Sequence, residues 1–415
     1  MNLNIIEPNY FKEFHCIGGE CRNNCCHDGW HIYLRKNEYI NIKNAKKSKE
    51  LQTICDNSFK RLRKSDNPNV YAEMRLKENG TCHFLDSDGL CMLQKECGYN
   101  ILSNTCKQFP RIYFQYMNSA EQYLSTGCEE VIRLLMDMPD GIELTNGGEI
   151  DHTKLMYPTF AVIDKKELST YPFKYYWDIK TLIITIIKNR SYSIEDRLIL
   201  LGIAFKHIDE LVKTDNGDKI ASYVDGLIAA CSADNSMLDG IKGIEADSYK
   251  NVLNFAFMLK GMIDAELLNK SLYEKIEKNF GIGYIKSGTT GKISFIANRE
   301  KVEKQLGMFF NMISGREYIL ENFILNSMLY MNIPFTDTSL SFWDSYLFYC
   351  MTYSTMIFMM AGNIDEESTD KDIIDSFAVF SRCLFHHPYL PESISDYMKN
   401  KDLSSLGAMV SLIKF

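Results

Sequence analysis

Positive charge is in short supply. Lysine and arginine number 46 against 54 aspartates and glutamates, a net charge of −8. Phosphate binding needs a basic footprint, so nucleic acid is not an expected partner. The residues from Met1 to Pro8 lack a basic stretch leading into an apolar run, so no signal peptide is expected. Long apolar runs are scarce as well. The longest, Phe342 to Ala361, carries Asp344, three tyrosines, two serines and two threonines, and reads as a buried core helix rather than a membrane span. The expected setting is the cytoplasm, where thiols stay reduced. Phosphate-cradling loops are also missing. No Gly-x-Gly-x-Gly element follows a strand near a carboxylate, and Gly288-Thr289-Thr290-Gly291-Lys292 fails the Walker A spacing. There is no fixed-period repeat and no low-complexity tract.

What is present is globular. Apolar residues make up 46% and charged residues 24% of 415, enough for two domains. The expected fold is mainly α: a small cysteine-rich α+β module over residues 1–140, then a larger α-helical domain over 150–415. Helical periods cover Pro172–Asn189, Asp218–Ala230, Ser248–Ile263, Ala265–Lys278, Arg299–Met312, Arg316–Tyr330, Ser339–Met360, Asp370–Phe385 and Glu392–Met398. Ser193-Ile194-Glu195-Asp196 resembles a capping box opening a helix to about Lys213. Ile285–Ile296 reads as a hairpin. Asp86-Ser87-Asp88-Gly89 is a turn signal between Ala72–Asp86 and Leu90–Leu93, so a hairpin is expected there, and polar, Gly-bearing Thr145–Thr153 reads as a linker.

Cysteine is the exception to ordinary usage. Ten of the thirteen lie at or before Cys128. Cys231, Cys350 and Cys383 sit in apolar segments, where a thiol behaves as a small hydrophobe. Toward the front, Cys16-x4-Cys21-x3-Cys25-Cys26 is followed by Cys82-x8-Cys91-x5-Cys97-x8-Cys106 and then Cys128. Thiolates are polarisable and deprotonate readily beside a cation, so such a set points to a soft metal or a cluster. Four thiolates satisfy either zinc or one 4Fe–4S cubane. Structural zinc favours two tight Cys-x2–4-Cys knuckles. Here the second half is spread out, which suits a larger inorganic core and an iron–sulfur cluster ahead of zinc. Adjacent Cys25 and Cys26 should point different ways and not both bind one atom. His15, His27, His31 and His83 fall within these segments as possible mixed ligands.

At this point the residues resemble the flagellin lysine-N-methylases. Pro8-Asn9-Tyr10-Phe11 leads to Cys16, Cys21, Cys25-Cys26 and Gly29-Trp30. Gly80-Thr81-Cys82-His83-Phe84-Leu85, Asp88-Gly89-Leu90-Cys91 and Leu102 to Arg111 continue the match, and Gly127-Cys128-Glu129-Glu130 with Arg133-Leu134 closes the module. Leu320-Glu321-Asn322-Phe323 and Ser376-Phe377 with Ser381-Arg382 and His386 extend it toward the C-terminus. Three positions depart from the family's pattern. Glu129 stands where a proline is usual, Phe385 where an acid is expected, and Cys97 where an apolar residue is usual.

The resemblance implies methyl transfer from S-adenosylmethionine to lysine ε-amines of flagellin by a cytoplasmic monomer. The metal ligands it implies are drawn from Cys16, Cys21, Cys25, Cys26, Cys82, Cys91, Cys106 and Cys128. Glu321 and Arg382 are the catalytic candidates, with a helix–helix ion pair as the plainer role for each. Arg111 and Arg133 flank the module and could meet a carboxylate or lie on the surface. The radical spacing Cys-x3-Cys-x2-Cys is absent, and an amine is nucleophilic already, so polar transfer is expected. The rival reading is a non-enzymatic metal-binding or electron-transfer protein with a structural zinc or iron–sulfur site.

Overall fold

Alternation sets the first strand. In Asn2–Pro8, Leu3 and Ile5 turn inward while Asn2 and Asn4 face solvent. The computed structural model describes residues 2–26, 32–64, 67, 69–151, 160–162, 172–233, 247–264, 268, 270–286, 293–336, 340–385, 390–401 and 403–415. The front of the chain runs β1 (Asn2–Pro8), β2 (Tyr33–Leu34), α1 (Lys36–Asn44), α2 (Lys49–Asn57), β3 (Phe59–Arg61), β4 (Ala72–Met74), α3 (Met92–Cys97) and α4 (Asn104–Gln108). It continues through β5 (Arg111–Tyr116), β6 (Ser119–Leu124), α5 (Glu129–Met136), β7 (Leu144–Asp151) and β8 (Phe160–Val162). Helices dominate the rest: α6 (Tyr176–Lys188), α7 (Ile194–Lys213), α8 (Ile220–Ala233), α9 (Ser248–Asp264) and α10 (Lys270–Phe280). The hairpin β9 (Gly283–Lys286) and β10 (Ile293–Ile296) precedes α11 (Arg299–Met312), α12 (Tyr318–Tyr330), α13 (Phe342–Asn363), α14 (Asp370–Phe385), α15 (Leu390–Asn400) and α16 (Leu406–Ile413).

The mainly helical expectation holds, with a mixed sheet at the front. Its order is β7-β1-β6-β5-β8. β1 pairs parallel with β6 and antiparallel with β7. The expected linker Thr145–Thr153 is therefore a strand as far as Asp151, because β1 supplies partners from Asn2↔Asp151 to Pro8↔Leu144. The expected hairpin around Asp86–Gly89 also differs. β4 pairs with β2 and β3, and the turn closes only the single bridge Leu85↔Cys91.

Two cores result. A small one collects Ile32, Leu34, Ile42, Leu51, Cys55, Phe84 and Leu93 from the cysteine-rich segment. The large one is continuous from Phe114 and Tyr123 of the sheet to the helices. Near its centre lies α13, buried along nearly its whole length. Ser341 caps it by accepting from the Asp344 amide at 3.0 Å, which places the acidic residue of the apolar run in the first turn. Among the described residues, no helix is long and apolar enough to cross a membrane.

Helix α12 stitches the helices to the sheet through polar side chains. Asn326 Nδ2 donates to the Leu124 carbonyl at 2.9 Å, and Tyr10 donates to Asn326 Oδ1. The Tyr330 hydroxyl meets Thr126 Oγ1 at 2.9 Å. Asn322 Nδ2 donates to the carbonyls of Leu135 and Met138 at 2.9 and 2.8 Å, satisfying groups at the end of α5. A buried ion pair adds to this junction. Lys180 of α6 bonds Glu121 of β6, and both side chains are at most 1% exposed. The ammonium lies 4.6 Å from the Tyr176 ring centroid and within 5.4 Å of those of Phe114 and Tyr123. Hydroxyls of Tyr123 and Tyr176 donate to the same carboxylate at 2.5 and 2.7 Å. Burial pulls the Lys180 pKa down, and Glu121 works against that shift.

Candidate metal centre

The cysteine loop Cys21–Cys26 is short, polar and without regular structure, so its shape must come from its contacts. An Asx turn supplies the first bend: the Cys26 amide donates to Asn24 Oδ1 at 3.0 Å. From below, the Glu129 carboxylate at the start of α5 accepts the amides of Arg22 and Asn23 at 3.1 and 2.5 Å. From the helical side, Arg382 of α14 donates to the carbonyls of Asn23 and Asn24 at 2.9 and 3.3 Å. Arg22 reaches back to α14, where it pairs with Asp372 and Asp375 at 2.9 and 2.8 Å. The loop is thus held through its amides, its carbonyls and one side chain.

The second cysteine segment docks onto the first. The Cys82 amide donates to the Cys26 carbonyl at 2.7 Å. The stretch containing Gly18 and Gly19 packs against the Asp88-Gly89 turn. A Cβ on Gly19 would stand 2.3 Å from the Asp88 carbonyl oxygen, so only glycine permits this approach. Contrary to the expectation for neighbouring residues, the thiols of Cys25 and Cys26 meet. Cys26 lies within hydrogen-bonding reach of both Cys25 and Cys82. The Asx turn breaks the alternation that would have separated the pair. The bond to Cys26 outweighs burial and, helped by the Arg382 charge, brings Cys25 down to about 7. The same partner lowers Cys82, while Cys26 itself is pushed up.

The other thiols lie in the same field. Burial, then Glu129 and neighbouring Cys128, Cys16 and Cys25, raise Cys21. Cys128 rises to about 12 through burial, partly offset by the Val131 and Glu130 amides, with Cys25 and Cys16 nearby. Burial raises Cys91 as well, against the Gln94 and Leu93 amides. Cys106 rises to about 12 through burial, with Cys82, Cys25 and Cys91 nearby. Two overlapping groups emerge. Cys16, Cys21, Cys25 and Cys128 form one, and Cys25, Cys26, Cys82, Cys91 and Cys106 form the other.

Three of these cysteines sit at helix N-termini, where amides favour a thiolate. Cys91 precedes α3, Cys128 precedes α5, and Cys106 lies in the first turn of α4 with its amide on Ser103 Oγ. The Cys106 thiol is desolvated by its surroundings, yet the residue keeps accessible surface. Among the described residues, no three His, Cys, Asp or Glu side chains form a group close enough to hold a single ion. The donor chemistry nevertheless fits a soft metal or a cluster, since thiols held neutral by burial ionise favourably against a cation.

The remaining expected residues take varied places. Cys97 Sγ faces the Lys46 carbonyl at 3.6 Å, and Cys55 is buried in the small core. His15 Nδ1 lies 2.9 Å from the Glu13 carbonyl. His27, His31, Gly29-Trp30, Gly288–Lys292 and His386 lie outside the described residues. Arg111 stacks over Phe14, its guanidinium carbon 5.1 Å from the ring centroid. Arg133 pairs with Glu130 and Asp137 at 2.7 and 2.8 Å.

Of the two C-terminal candidates, Arg382 reaches the cysteine loop. Glu321 forms a separate junction, accepting from Arg190 Nη2 at 2.8 Å and Arg197 Nη1 at 2.7 Å. Glu129, Arg22, Asp372 and Asp375 were not expected at the site. A legible signal existed for one: Thr369-x-x-Asp372 has capping-box spacing, and Asp372 Oδ2 accepts the Thr369 amide at 2.8 Å, the half of the motif that forms.

The fold and site thus define a helical domain whose helix α14 clamps a cysteine loop carried by a mixed-sheet module. Residues 180–412, more than half of the chain, match the family model described as the FliB lysine N-methylase C-terminal domain, and the chain belongs to that family. It is similar to the lysine-N-methylases of Salmonella typhimurium and Salmonella choleraesuis, 34% identical to each over 167 residues, or 39% of this chain. The match spans about 40% of the length of these curated relatives. A flagellar biosynthetic protein, FliU of Salmonella muenchen, is 34% identical over 146 residues, covering 34% of this chain and 82% of that protein. No solved structure matches the chain.

Proposed function

We propose that the chain is an S-adenosylmethionine-dependent protein-lysine N-methyltransferase acting on flagellin in the cytoplasm. Family membership over residues 180–412 supports the class. The observation that carries the site is the clamp: Arg382, Asp372 and Asp375 of that same family domain fix the cysteine loop. A helical domain that served only as a docking surface would have no need of three charged residues on a loop 350 residues away in sequence.

In the reaction, the lysine nitrogen attacks the sulfonium methyl carbon in line. The C–S bond breaks, S-adenosylhomocysteine leaves, and one proton departs from nitrogen. Free lysine titrates near ~10.4, so only about one amine in a few thousand is neutral at pH 7. The site must therefore strip the proton or desolvate the ammonium. Thiolates drawn from Cys16, Cys21, Cys25, Cys26, Cys82, Cys91, Cys106 and Cys128 would hold a 4Fe–4S cluster, with zinc as the alternative. Such a centre would supply an organising anchor for the loop. The chain's own contribution is to hold that loop against α14.

The test is methyl transfer from labelled S-adenosylmethionine to flagellin by protein purified without oxygen, read by mass spectrometry of lysine peptides. Metal analysis and an absorption spectrum of the same sample separate iron–sulfur from zinc. Failure to bind S-adenosylmethionine calorimetrically in the metal-loaded state would favour the non-enzymatic reading.

A further inference from the structure

The two most exposed large apolar side chains among the described residues, Tyr284 at 61% and Ile285 at 59%, are neighbours on β9. Ile296 of β10 adds a third, at 47%. In the register of the hairpin, Gly283 faces Ile296 and Ile285 faces Ser294. Strand alternation therefore puts Ile285 and Ile296 on one face and Tyr284 on the other. One exposed apolar residue is ordinary; three on a hairpin this short mark a surface that makes contacts. Among the described residues β9 pairs with β10 alone, and β10 in turn lies against α9. The outer edge of β9 is an open row of backbone donors and acceptors.

The hairpin stands on a fixed base. The Ile282 amide donates to the Glu277 carbonyl at 2.8 Å, and the Asn298 amide donates to the Phe280 carbonyl at 3.0 Å. Asn279 Nδ2 donates to the Gly362 carbonyl at the end of α13, at 3.0 Å. The next residue of that helix, Asn363, donates to Ser376 Oγ of α14 at 2.8 Å. On the same stretch of α14, Asp372 and Asp375 hold Arg22 of the cysteine loop. The base of the hairpin and the anchor of the cysteine loop thus meet at one end of α13. Charge here also runs against the rest of the chain. From Lys278 to Arg299 there are four basic residues and no acidic one, in a chain of net charge −8. Such a stretch attracts an acidic partner. A lipid surface would suit the apolar side chains but would leave the edge amides and carbonyls unpaired. An extended polypeptide satisfies both, because its main chain continues the ladder while its side chains alternate across the two faces.

We propose that β9 is a docking edge for the protein substrate: an extended segment carrying acidic residues adds as a strand beside Gly283–Lys286, with Tyr284 and Ile285 as its apolar contacts on opposite faces. The identity of the partner rests on the methyltransferase reading, but docking itself does not depend on transfer. A segment held on β9 brings the rest of its protein, target lysine included, to the end of α13 where the cysteine loop is anchored.

The test uses the full chain, purified without oxygen, and monomeric flagellin without methyl donor. Amide hydrogen exchange in β9 should slow about tenfold or more when flagellin binds. Tyr284→Thr combined with Ile285→Thr keeps strand propensity and removes the apolar contacts. Both positions are exposed, so this variant should keep the wild-type urea midpoint while binding weakens about tenfold or more. In turnover the loss should appear in KM rather than kcat. Ile285→Glu should bind about threefold more weakly than Ile285→Lys at low salt, and the gap should close as salt rises. Unchanged exchange in β9 at saturating flagellin overturns the proposal. So does a folded double variant with wild-type affinity, or equal binding by the Glu and Lys variants at low salt. Self-association that the double variant loses would put a second copy on this edge, and binding to anionic vesicles that it loses would put a membrane there; either result overturns the proposal as well. Protection of β9 by flagellin without any methyl transfer would leave the docking edge standing and remove the methyltransferase reading. Methyl transfer to flagellin with β9 unprotected would do the reverse.

Discussion

Replacing Glu321 with alanine separates a structural role from a catalytic one. Its carboxylate is 3% exposed and accepts from Arg190 Nε at 3.0 and 3.2 Å, Arg190 Nη2 at 2.8 Å and Arg197 Nη1 at 2.7 Å. Arg197 is itself 7% exposed and otherwise donates to the carbonyls of Tyr192 and Ile187 at 2.9 and 2.8 Å. Burial pulls the Arg197 pKa down, and Glu321 opposes that shift. Glu321→Ala would leave the guanidinium desolvated without a counter-charge, a change that costs about 3–5 kcal/mol in buried pairs. Arg190 is 48% exposed, so Arg190→Ala should cost no more than about 1 kcal/mol. Adding Arg197→Leu to Glu321→Ala should recover part of the loss, because it removes the stranded charge. Urea midpoints of anaerobically purified protein measure all three. A Glu321→Ala protein with the wild-type midpoint and no methyl transfer would refute this reasoning and make Glu321 a catalytic residue.

Other outcomes follow from the same contacts. Glu129→Ala removes two charge-assisted bonds from the cysteine loop, each worth about 1.5–3 kcal/mol locally, so the metal content per chain should fall and air sensitivity should rise; unchanged metal analysis would count against the clamp. Asp372 is held at about 2, below the ordinary 3.8, by Thr369 and then by Arg22. Its contribution to stability is therefore complete above about pH 4 and disappears as pH falls toward 2. Thr369→Val should flatten that stretch of a plot of midpoint against pH, and an identical slope would contradict the assignment. Lys180→Met strands the buried Glu121 carboxylate and should cost about 3–5 kcal/mol, whereas Lys180→Met with Glu121→Gln should cost much less. Equal losses for the single and double variants would show that the pair is not coupled.

The helices were legible because their signals are local. Arg299–Met312 and Asp370–Phe385 form as their periodicity predicts, and Ser193 caps its helix through the Asp196 amide at 3.1 Å. Strand β7 was not legible. Its polar sequence reads as a linker, and the reason it is extended lies in β1, more than 130 residues earlier. The short stretch around Asp86–Gly89 failed for the opposite reason: a strong turn signal does not ensure that its flanks find enough partners to form strands. The site divides in the same way. Cysteine spacing and Arg382 could be read from the chain, but the pairing of Cys25 with Cys26 required the Asn24 turn. The carboxylates of α14 carry no sequence signal for the loop; Arg22, some 350 residues earlier, is what pairs with them.

Glu129 is a departure in sequence, an acid where the family pattern leads one to expect proline, and its position shows what the acid does there. A proline in the first turn of a helix fixes backbone angle but offers no acceptor. Glutamate at the same place offers two carboxylate oxygens and gains from the helix N-terminus. Here those oxygens hold the Arg22 and Asn23 amides. The same carboxylate helps raise both the Cys21 thiol and Asp375, so it increases the negative potential on the two sides of Arg22. A metal beside the thiols would relieve that repulsion on one side, as the Arg22 guanidinium does on the other. Loop anchoring and cation demand thus come from one side chain, and Glu129→Gln should separate them. It keeps one acceptor oxygen for the loop but removes the charge, so the loop should survive while the metal content per chain falls; unchanged metal analysis would contradict the argument.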